Sequence, residues 1–383
     1  MRYNPFNPQL PARPAIFVGR EPEITMYEKY LSQTMHGSPM NMSITGNRGM
    51  GKTSILCKFE EIARDEGCLV LRMSNYEGNI TNPVELADFI TTNLKREILT
   101  QKPLGPEWEK LKEWAVSIKP TIGFGDISLR IERNPVAQEM FRDRLIKLWH
   151  EMEKNRNAAV LLIDEAESLE RVEGALVFFR EVLQRTATDA KYMVVLAGKL
   201  NFPERMSESF SPLNRFFPCQ TLAPFDRKEV EEYVQRQLKS VKVGIEAAPL
   251  RYIIEKSEGH PYVLVAMCNL IFDAMQDGQN AINHDMIAQV EEKINAKLAQ
   301  DFFNPMYHPL TPKAKQIIKA IALNVESLEF SFSDAVKWVG TPGNRISPYI
   351  LELVRKGVII KPERGRYQIF HGLFKDFVNG LAK

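Results

Sequence analysis

Long apolar runs are missing from this chain of 383 residues. No stretch approaches the roughly 20 consecutive apolar residues that a helix needs to span a bilayer. The opening MRYNPFNPQLPARP has no apolar core of the signal-peptide kind. A cytoplasmic protein without a membrane span is therefore expected. Cysteine is scarce: Cys57, Cys68, Cys219 and Cys268 form no CxxC pair, and no histidine stands at zinc-knuckle spacing from them. That pattern excludes a disulfide framework and a zinc ribbon and leaves four reduced thiols. Glycine (21) and proline (23) are scattered without period, which excludes collagen-like and low-complexity chains. An excess of one charge is lacking too, with 50 basic against 48 acidic residues.

What is present is a soluble globular composition, 44% hydrophobic and 26% charged, with enough apolar surface to offset ordering entropy. The length asks for two or three cores. Charge is unevenly placed. Residues 307–383 hold 12 Lys+Arg against 6 Asp+Glu, whereas the other 306 residues hold 38 against 42. A basic C-terminal module thus follows a mildly acidic body.

The first fourteen residues, rich in Pro and Asn, read as an extended arm. Apolar strands then alternate with helical stretches: Met40–Ile44, Cys68–Met73, Ala158–Ile163, Tyr192–Ala197 and a short one near Cys219–Leu222. The runs AAVLLI and YMVVLA are apolar throughout, the signature of strands buried on both faces of a parallel sheet. A doubly wound α/β domain over 1–225 follows from this alternation. Within it, about 95–154 is too long for a plain crossover and reads as an insertion. Its run PTIGFGDISLRIE (Pro120–Glu132) resembles a hairpin turning at Gly123–Asp126. After Pro224 no strand is expected, and four helices, Asp226–Ser240, Ala248–Glu258, Pro261–Met275 and Asn283–Gln300, make a helical lid over 226–303. A loop with Asn304, Pro305, Pro309 and Pro312 opens a third domain, 304–383. There Thr311 and Pro312 start one helix, a second follows Ser333, and Ser347 with Pro348 start a third that stops before Gly357. Val358–Ile360 and Arg366–Phe370 form a β-ribbon turning through Pro362–Gly365, and a closing helix starts near Gly372. Three helices and a ribbon spell a winged helix-turn-helix.

The sharpest motif is Gly46-Asn47-Arg48-Gly49-Met50-Gly51-Lys52-Thr53, a match to G-x-x-x-x-G-K-[ST]. Its glycines permit backbone conformations and approaches that a Cβ would block. The N–H groups from Gly49 to Thr53, with Ser54 beyond, then line a phosphate cradle at the positive end of the next helix. In such a loop Lys52 reaches the β- and γ-phosphates and Thr53 offers its hydroxyl to Mg²⁺. An apolar strand leads in and a helix leads out, as a P-loop requires. The strand Ala158–Ile163 ends in Asp164-Glu165 and is expected next to the P-loop strand. Asp164 then serves the metal, and Glu165 orients or deprotonates the attacking water.

Together these residues resemble the AAA+ superfamily and its STAND relatives, with the likeness running over essentially the whole chain. Ile16-Phe17-Val18-Gly19-Arg20-Glu21 looks like the box that packs on adenine, which implies Val18, Gly19 and Arg20 as nucleotide contacts. Tyr192–Gly198, followed by Lys199 and Asn201, occupies the sensor-1 strand. Leu213-Asn214-Arg215-Phe216 is similar to the segment with the arginine finger. Glu258-Gly259-His260-Pro261-Tyr262 looks like the glycine–proline signature of a STAND lid, which implies His260 and Pro261 at the nucleotide. Origin-recognition-type initiators share this domain order. The chain departs from them in having His260-Pro261 where a lid arginine serves as sensor 2. It departs from many STAND proteins in the run Asp164-Glu165-Ala166-Glu167, whose Glu165 resembles a hydrolytic AAA+ glutamate.

Two questions stay open at this level. Arg215 is either a finger for a neighbouring copy's γ-phosphate or a surface arginine. The winged helix either binds duplex DNA or acts as a lever or partner-docking module. For DNA, the third helix offers Tyr349, Arg355 and Lys356, with Arg345 just before it, and the wing offers Lys361, Arg364 and Arg366. The resemblance implies ATP and Mg²⁺ as ligands. The expected activity is a slow ATPase switch whose nucleotide state sets lid and winged-helix orientation. An ATP-gated DNA-binding protein resembling a replication initiator or transposition regulator is the alternative, a signalling or defence ATPase acting through a protein partner is a third, and a homo-oligomer is a further partner expectation.

Overall fold

The chain is described by a computed structural model over residues 3–13, 16–74, 82–100, 135–172, 174–276 and 278–381. The hairpin expected at Pro120–Glu132 lies outside the described residues. Five parallel strands form the central sheet: β1 (Met42–Thr45), β2 (Leu69–Ser74), β3 (Ala159–Asp164), β4 (Tyr192–Gly198) and β5 (Cys219–Thr221). Their order is β2-β3-β4-β1-β5. All of β1 and β4 and the first five residues of β3 are buried, which is why their sequences show no polar alternation. On one face α1 (Glu21–Met35) and α2 (Lys52–Asp65) press Tyr27, Leu31, Ile55 and Phe59 onto the sheet. Tyr27 and Phe59 stack with centroids 4.0 Å apart. On the other face lie α3 (Pro83–Thr100), α4 (Pro135–Met152) and α5 (Ala175–Thr186), which bury Ile90, Leu94, Phe141, Trp149 and Phe179.

One expectation about this sheet is overturned. The strand ending in Asp164 is not beside the P-loop strand, because β4 lies between them, pairing Leu162 with Val195 and Ile44 with Ala197. The site survives because parallel strands all end at the same edge of the sheet. Ligands in open α/β sheets bind at that edge.

Two short helices, α6 (Phe202–Ser209) and α7 (Pro212–Phe216), return the chain to β5. The helical region then contains α8 (Arg227–Ser240), α9 (Ala247–Ser257), α10 (Pro261–Asp273) and α11 (His284–Leu298). A reciprocal cap fixes the start of α8. The Glu229 N–H donates to Asp226 Oδ1 (2.8 Å), and the Asp226 N–H donates to Glu229 Oε2 (2.7 Å). Strands do not stop here as expected: β6 (Gly244–Ile245) pairs with β7 (Ala281–Ile282). Nor does the chain break at Asn304–Pro305. The helix α11 passes through a π-helical turn, Ala299–Phe303, into α12 (Asn304–Tyr307). A widened turn already interrupts the i→i−4 ladder, so Pro305, which has no N–H to give, is tolerated there.

The C-terminal module contains α13 (Pro312–Asn324), β8 (Glu329–Ser331), α14 (Phe332–Val339), α15 (Gly343–Arg355), β9 (Ile359–Glu363), β10 (Arg366–Ile369) and α16 (Gly372–Gly380). Thr311 caps α13 by accepting from the Ala314 N–H, as its sequence suggests. The third helix differs from expectation. It begins at Gly343, so Pro348 lies inside it and Ser347 caps nothing. The wing gains a third strand, in the order β8-β10-β9, and Pro362 and Glu363 belong to β9 rather than to its turn.

The helical region and the C-terminal module share one apolar cluster. It runs from Val230 through Phe302 and Phe303 to Phe374 and Val378, and it also takes in Phe6 and Val18. Phe303 meets Phe374 and Phe377 at centroid distances of 5.7 Å. No helix among the described residues is long and apolar enough to cross a membrane.

Candidate functional site

A cavity of about 1670 Å³ opens at the C-terminal edge of the sheet. The P-loop forms its floor between β1 and α2. Gly49 and Gly51 take φ of 79° and 88°, values that suit glycine and let the loop fold back over the start of α2. Lys52 donates from Nζ to the carbonyls of Gly46 (2.8 Å) and Asn47 (3.0 Å). Burial lowers its pKa, and the carboxylates of Glu167 and Asp164 oppose that shift. The ammonium is therefore held inside the loop by backbone oxygen and nearby acid.

The acidic half comes from the end of β3. Thr53 Oγ1 donates to Asp164 Oδ2 at 2.7 Å, joining positions 111 residues apart. The Glu165 N–H donates to Asp164 Oδ1 at 2.9 Å, which fixes the second carboxylate oxygen. Glu165 adopts φ of 52°, a left-handed conformation rare for a side chain of this size. Its Oε2 is buried without a hydrogen-bond partner among the described residues. Burial first, then Asp164 and Glu167, raises its pKa above the usual carboxylate range. The left-handed backbone thus seats Glu165 on the cavity wall beside Asp164. Glu167 stands behind it and pairs with Lys199 Nζ at 3.3 Å.

Other candidates divide into those that line the cavity and those that do not. Gly46, Asn47, Arg48, Gly49, Met50, Gly51, Lys52, Thr53, Ser54, Val18, Arg20 and Pro261 line it, together with Asp164 and Glu165. Arg20 is nonetheless engaged elsewhere, donating to the carbonyls of Ala223 (2.6 Å) and Met50 (3.2 Å) and covering the Phe225 ring. It therefore clamps loops rather than offering a free charge. Gly19 is not on the cavity wall. His260 is a correction: it lies beneath the P-loop, 4% exposed, with Nε2 3.1 Å from the Arg48 carbonyl. A Cβ on Gly49 would come within 2.7 Å of its Cε1 and 2.8 Å of the Tyr262 Cβ. The proline at 261 starts α10 tight against that loop, and the Tyr262 N–H donates to the Gly49 carbonyl (3.2 Å). Burial, reinforced by His371, pushes the His260 imidazole down to about 3, so it is neutral at physiological pH. Arg215 is exposed on α7 and does not line this chain's own cavity.

The candidate DNA contacts divide too. Arg355, Lys356, Lys361 and Arg364 line the cavity, whereas Arg345 and Arg366 do not. Arg366 is paired with Glu363 at 3.0 Å. The N-terminal arm is a contributor that sequence reasoning missed. Asn7 to Arg13 line the cavity, and the Ala12 N–H donates to Ser54 Oγ (3.0 Å). Asn4 and Asn269 tie the arm to α10, with Asn269 Nδ2 donating to the Phe6 carbonyl (2.7 Å). The signal was Phe6, a phenylalanine in a mostly polar arm, which is 1% exposed.

A parallel five-stranded core with a P-loop, under a helical region and ending in a small antiparallel sheet, is the P-loop α/β fold. Residues 16–196 match the AAA ATPase domain, and the chain carries that domain. Along nearly its whole length the chain is similar to an uncharacterised HTH-type transcriptional regulator of Methanocaldococcus jannaschii. The two are 21% identical over 98% of this chain and 91% of that protein. Its fold resembles a Walker-type ATPase of Pyrococcus abyssi, with a TM-score of 0.62 and 16% identity over 96% of this chain and 97% of the other. It also resembles the ORC2 protein of Aeropyrum pernix, solved in ADPNP and ADP complexes. That TM-score is 0.59, with 13% identity over 95% of each chain.

Proposed function

We propose that the protein is an ATP-binding, slowly ATP-hydrolysing switch, in which nucleotide state sets the positions of the helical region and the C-terminal module. The observation that carries this reading is the 2.7 Å contact between Thr53 Oγ1 and Asp164 Oδ2 at the mouth of the P-loop. A hydroxyl and a carboxylate oxygen beside a phosphate cradle fit a hard divalent cation such as Mg²⁺. That ion keeps most of its waters and takes few protein ligands beside the nucleotide. Thr53 and Asp164 would hold it, and bound there it would neutralise charge on the β- and γ-oxygens.

The chain's own groups supply the rest. Lys52 exchanges its two carbonyl partners for phosphate oxygens, and the loop N–H groups hold the triphosphate in line. Glu165 accepts a proton from the attacking water as the β–γ oxygen bridge to phosphorus breaks. A raised carboxyl pKa makes it a better base than an ordinary glutamate. The hydrogen bonds from His260 and Tyr262 to the P-loop carbonyls give the loop a direct mechanical link to α10. His371 and Gly372 extend the link to the C-terminal module. His371 Nε2 lies 3.0 Å from the Ser257 carbonyl, and the Gly372 N–H donates to Glu258 Oε1 at 2.9 Å.

A paired assay tests the reading. Lys52→Ala is expected to abolish ATP binding, and Glu165→Gln to bind ATP but lose turnover. Equal binding by wild type and Lys52→Ala would remove the proposal. A second reading, ATP-gated binding of duplex DNA, is favoured by the net +6 of residues 307–383 and by the description of the Methanocaldococcus relative. A mobility shift that weakens steeply with salt and needs Arg345 and Arg366 would support it.

A further inference from the structure

The C-terminal module presents four cations to the nucleotide cavity from the wall opposite the P-loop. Arg355 and Lys356 end α15, and Lys361 and Arg364 stand on the wing. All four are exposed, and none has an ion pair or a side-chain hydrogen bond with another described residue. Gly357, just past α15, brings this wall close to the phosphate loop: a Cβ there would lie 3.7 Å from Asn47 Oδ1. Among the described residues, the helical region contributes only uncharged residues to the cavity, such as Tyr233, Gln237, Ser240, Pro261 and Tyr262. Among the described residues Glu363 is the module's only carboxylate on this wall, and it is already paired with Arg366, which does not line the cavity.

The carboxylates lining the same cavity, Asp164, Glu165, Glu167 and Glu204, pair with none of these four cations, which leaves the cations' mutual repulsion to be relieved by a bound anion. The cavity also exceeds the 300–1,000 Å³ usual for a small-ligand pocket, so a triphosphate on the P-loop leaves room for long side chains to close from the far side. We infer that Arg355, Lys356, Lys361 and Arg364 form a second anion-binding wall for the terminal phosphate of the nucleotide. It supplies from the C-terminal module, within the same chain, the positive charge that the helical region does not bring. Such a wall would distinguish triphosphate from diphosphate through the extra negative charge of the terminal phosphate. This inference rests on the proposed ATP binding at the P-loop.

Its test is calorimetric titration of the full chain with ADP and with a non-hydrolysable ATP analogue, for wild type and for Lys356→Ala/Lys361→Ala/Arg364→Ala. Loss of charge-assisted contacts is expected to weaken the triphosphate analogue about tenfold and to leave ADP within about twofold. The conservative Lys356→Arg is expected to keep wild-type discrimination. An unchanged triphosphate-to-diphosphate ratio in the triple variant overturns the wall while leaving the P-loop reading intact. Absence of binding of either nucleotide to wild type overturns the P-loop reading itself. A third arm adds a short duplex in the absence of nucleotide. Loss of salt-sensitive duplex binding in the triple variant, with the nucleotide ratio unchanged, assigns Lys356, Lys361 and Arg364 to DNA phosphate and also overturns the inference. A melting temperature equal to wild type without ligand shows that the variant is folded.

Discussion

The two walls of the cavity are built in opposite ways. On the P-loop wall three of the charged groups central to the proposed chemistry are fixed in place by the fold. Lys52 sits on two carbonyls, Asp164 accepts from a hydroxyl and an amide, and Glu165 is seated by a left-handed backbone. On the C-terminal wall Arg355, Lys356, Lys361 and Arg364 have no such partners. The first wall is preorganised, so its binding energy is not spent on ordering side chains. The second must order long side chains at each binding event. A fixed wall suits chemistry, and a loose one suits a response that changes with the ligand.

If that contrast is right, damage to the fixed wall is far more costly. Lys52→Ala is expected to weaken ATP binding by at least about a hundredfold, since a charge-assisted hydrogen-bonding cation leaves the cradle. A calorimetric titration checks it. Glu165→Gln comes next. It should retain nucleotide and lower turnover by roughly 10²–10⁴-fold, the usual worth of a positioned general base, in a phosphate-release assay. Because burial and the neighbouring acids raise the Glu165 pKa, the deprotonated base is lost as pH falls through a value above the ordinary 4.5. The acidic limb of the wild-type rate profile should therefore lie above that of an unperturbed carboxylate.

A smaller effect is expected where the fixed wall meets α10. Gly49→Ala forces a Cβ against His260 and Tyr262 at φ of 79°, and should cost about 1–3 kcal/mol in a denaturant melt. The buried imidazole adds a pH signature. With its pKa lowered to about 3, the folded chain binds fewer protons than the unfolded chain between there and about 6.5. The His260 contribution is present above pH 6.5 and is lost as pH falls toward 3. Replacing His260 by glutamine should flatten that part of a stability-against-pH curve. The smallest effect belongs to Arg366, exposed, paired and off the cavity. Arg366→Ala should change stability by no more than about 0.5 kcal/mol and leave nucleotide binding unaltered. A large nucleotide defect there would blur the boundary between the loose wall and the rest of the wing.

How far the sequence could be read follows the same division. The strands of the core were legible within two residues because burial on both faces writes itself as uninterrupted apolar runs such as AVLLI and YMVVLA. The meeting of the Gly46–Thr53 loop with the end of the Asp164 strand was legible from motif spacing, and the structure brings Thr53 Oγ1 to Asp164 Oδ2. Strand order was not, since an apolar run does not say which neighbour it has, and β4 took the place expected for β3. Pro348 and Pro305 misled for a shared reason. Proline marks a local loss of one hydrogen bond, and packing of α15 and a π turn absorbed that loss. His260 looked like a ligand by its setting, but tertiary packing turned it to the Arg48 carbonyl. The inward-facing cations could not be read at all. Exposed lysines and arginines on a wing look alike whether they face solvent, duplex or a cavity in the same chain.

The most direct measurement is a calorimetric titration of the full chain with ATP, once in magnesium and once in EDTA. One-to-one saturable binding is expected in both buffers, tighter by about tenfold with the metal between Thr53 and Asp164. Absence of saturable binding in either buffer would contradict the assignment of the Gly46–Thr53 loop as a nucleotide cradle.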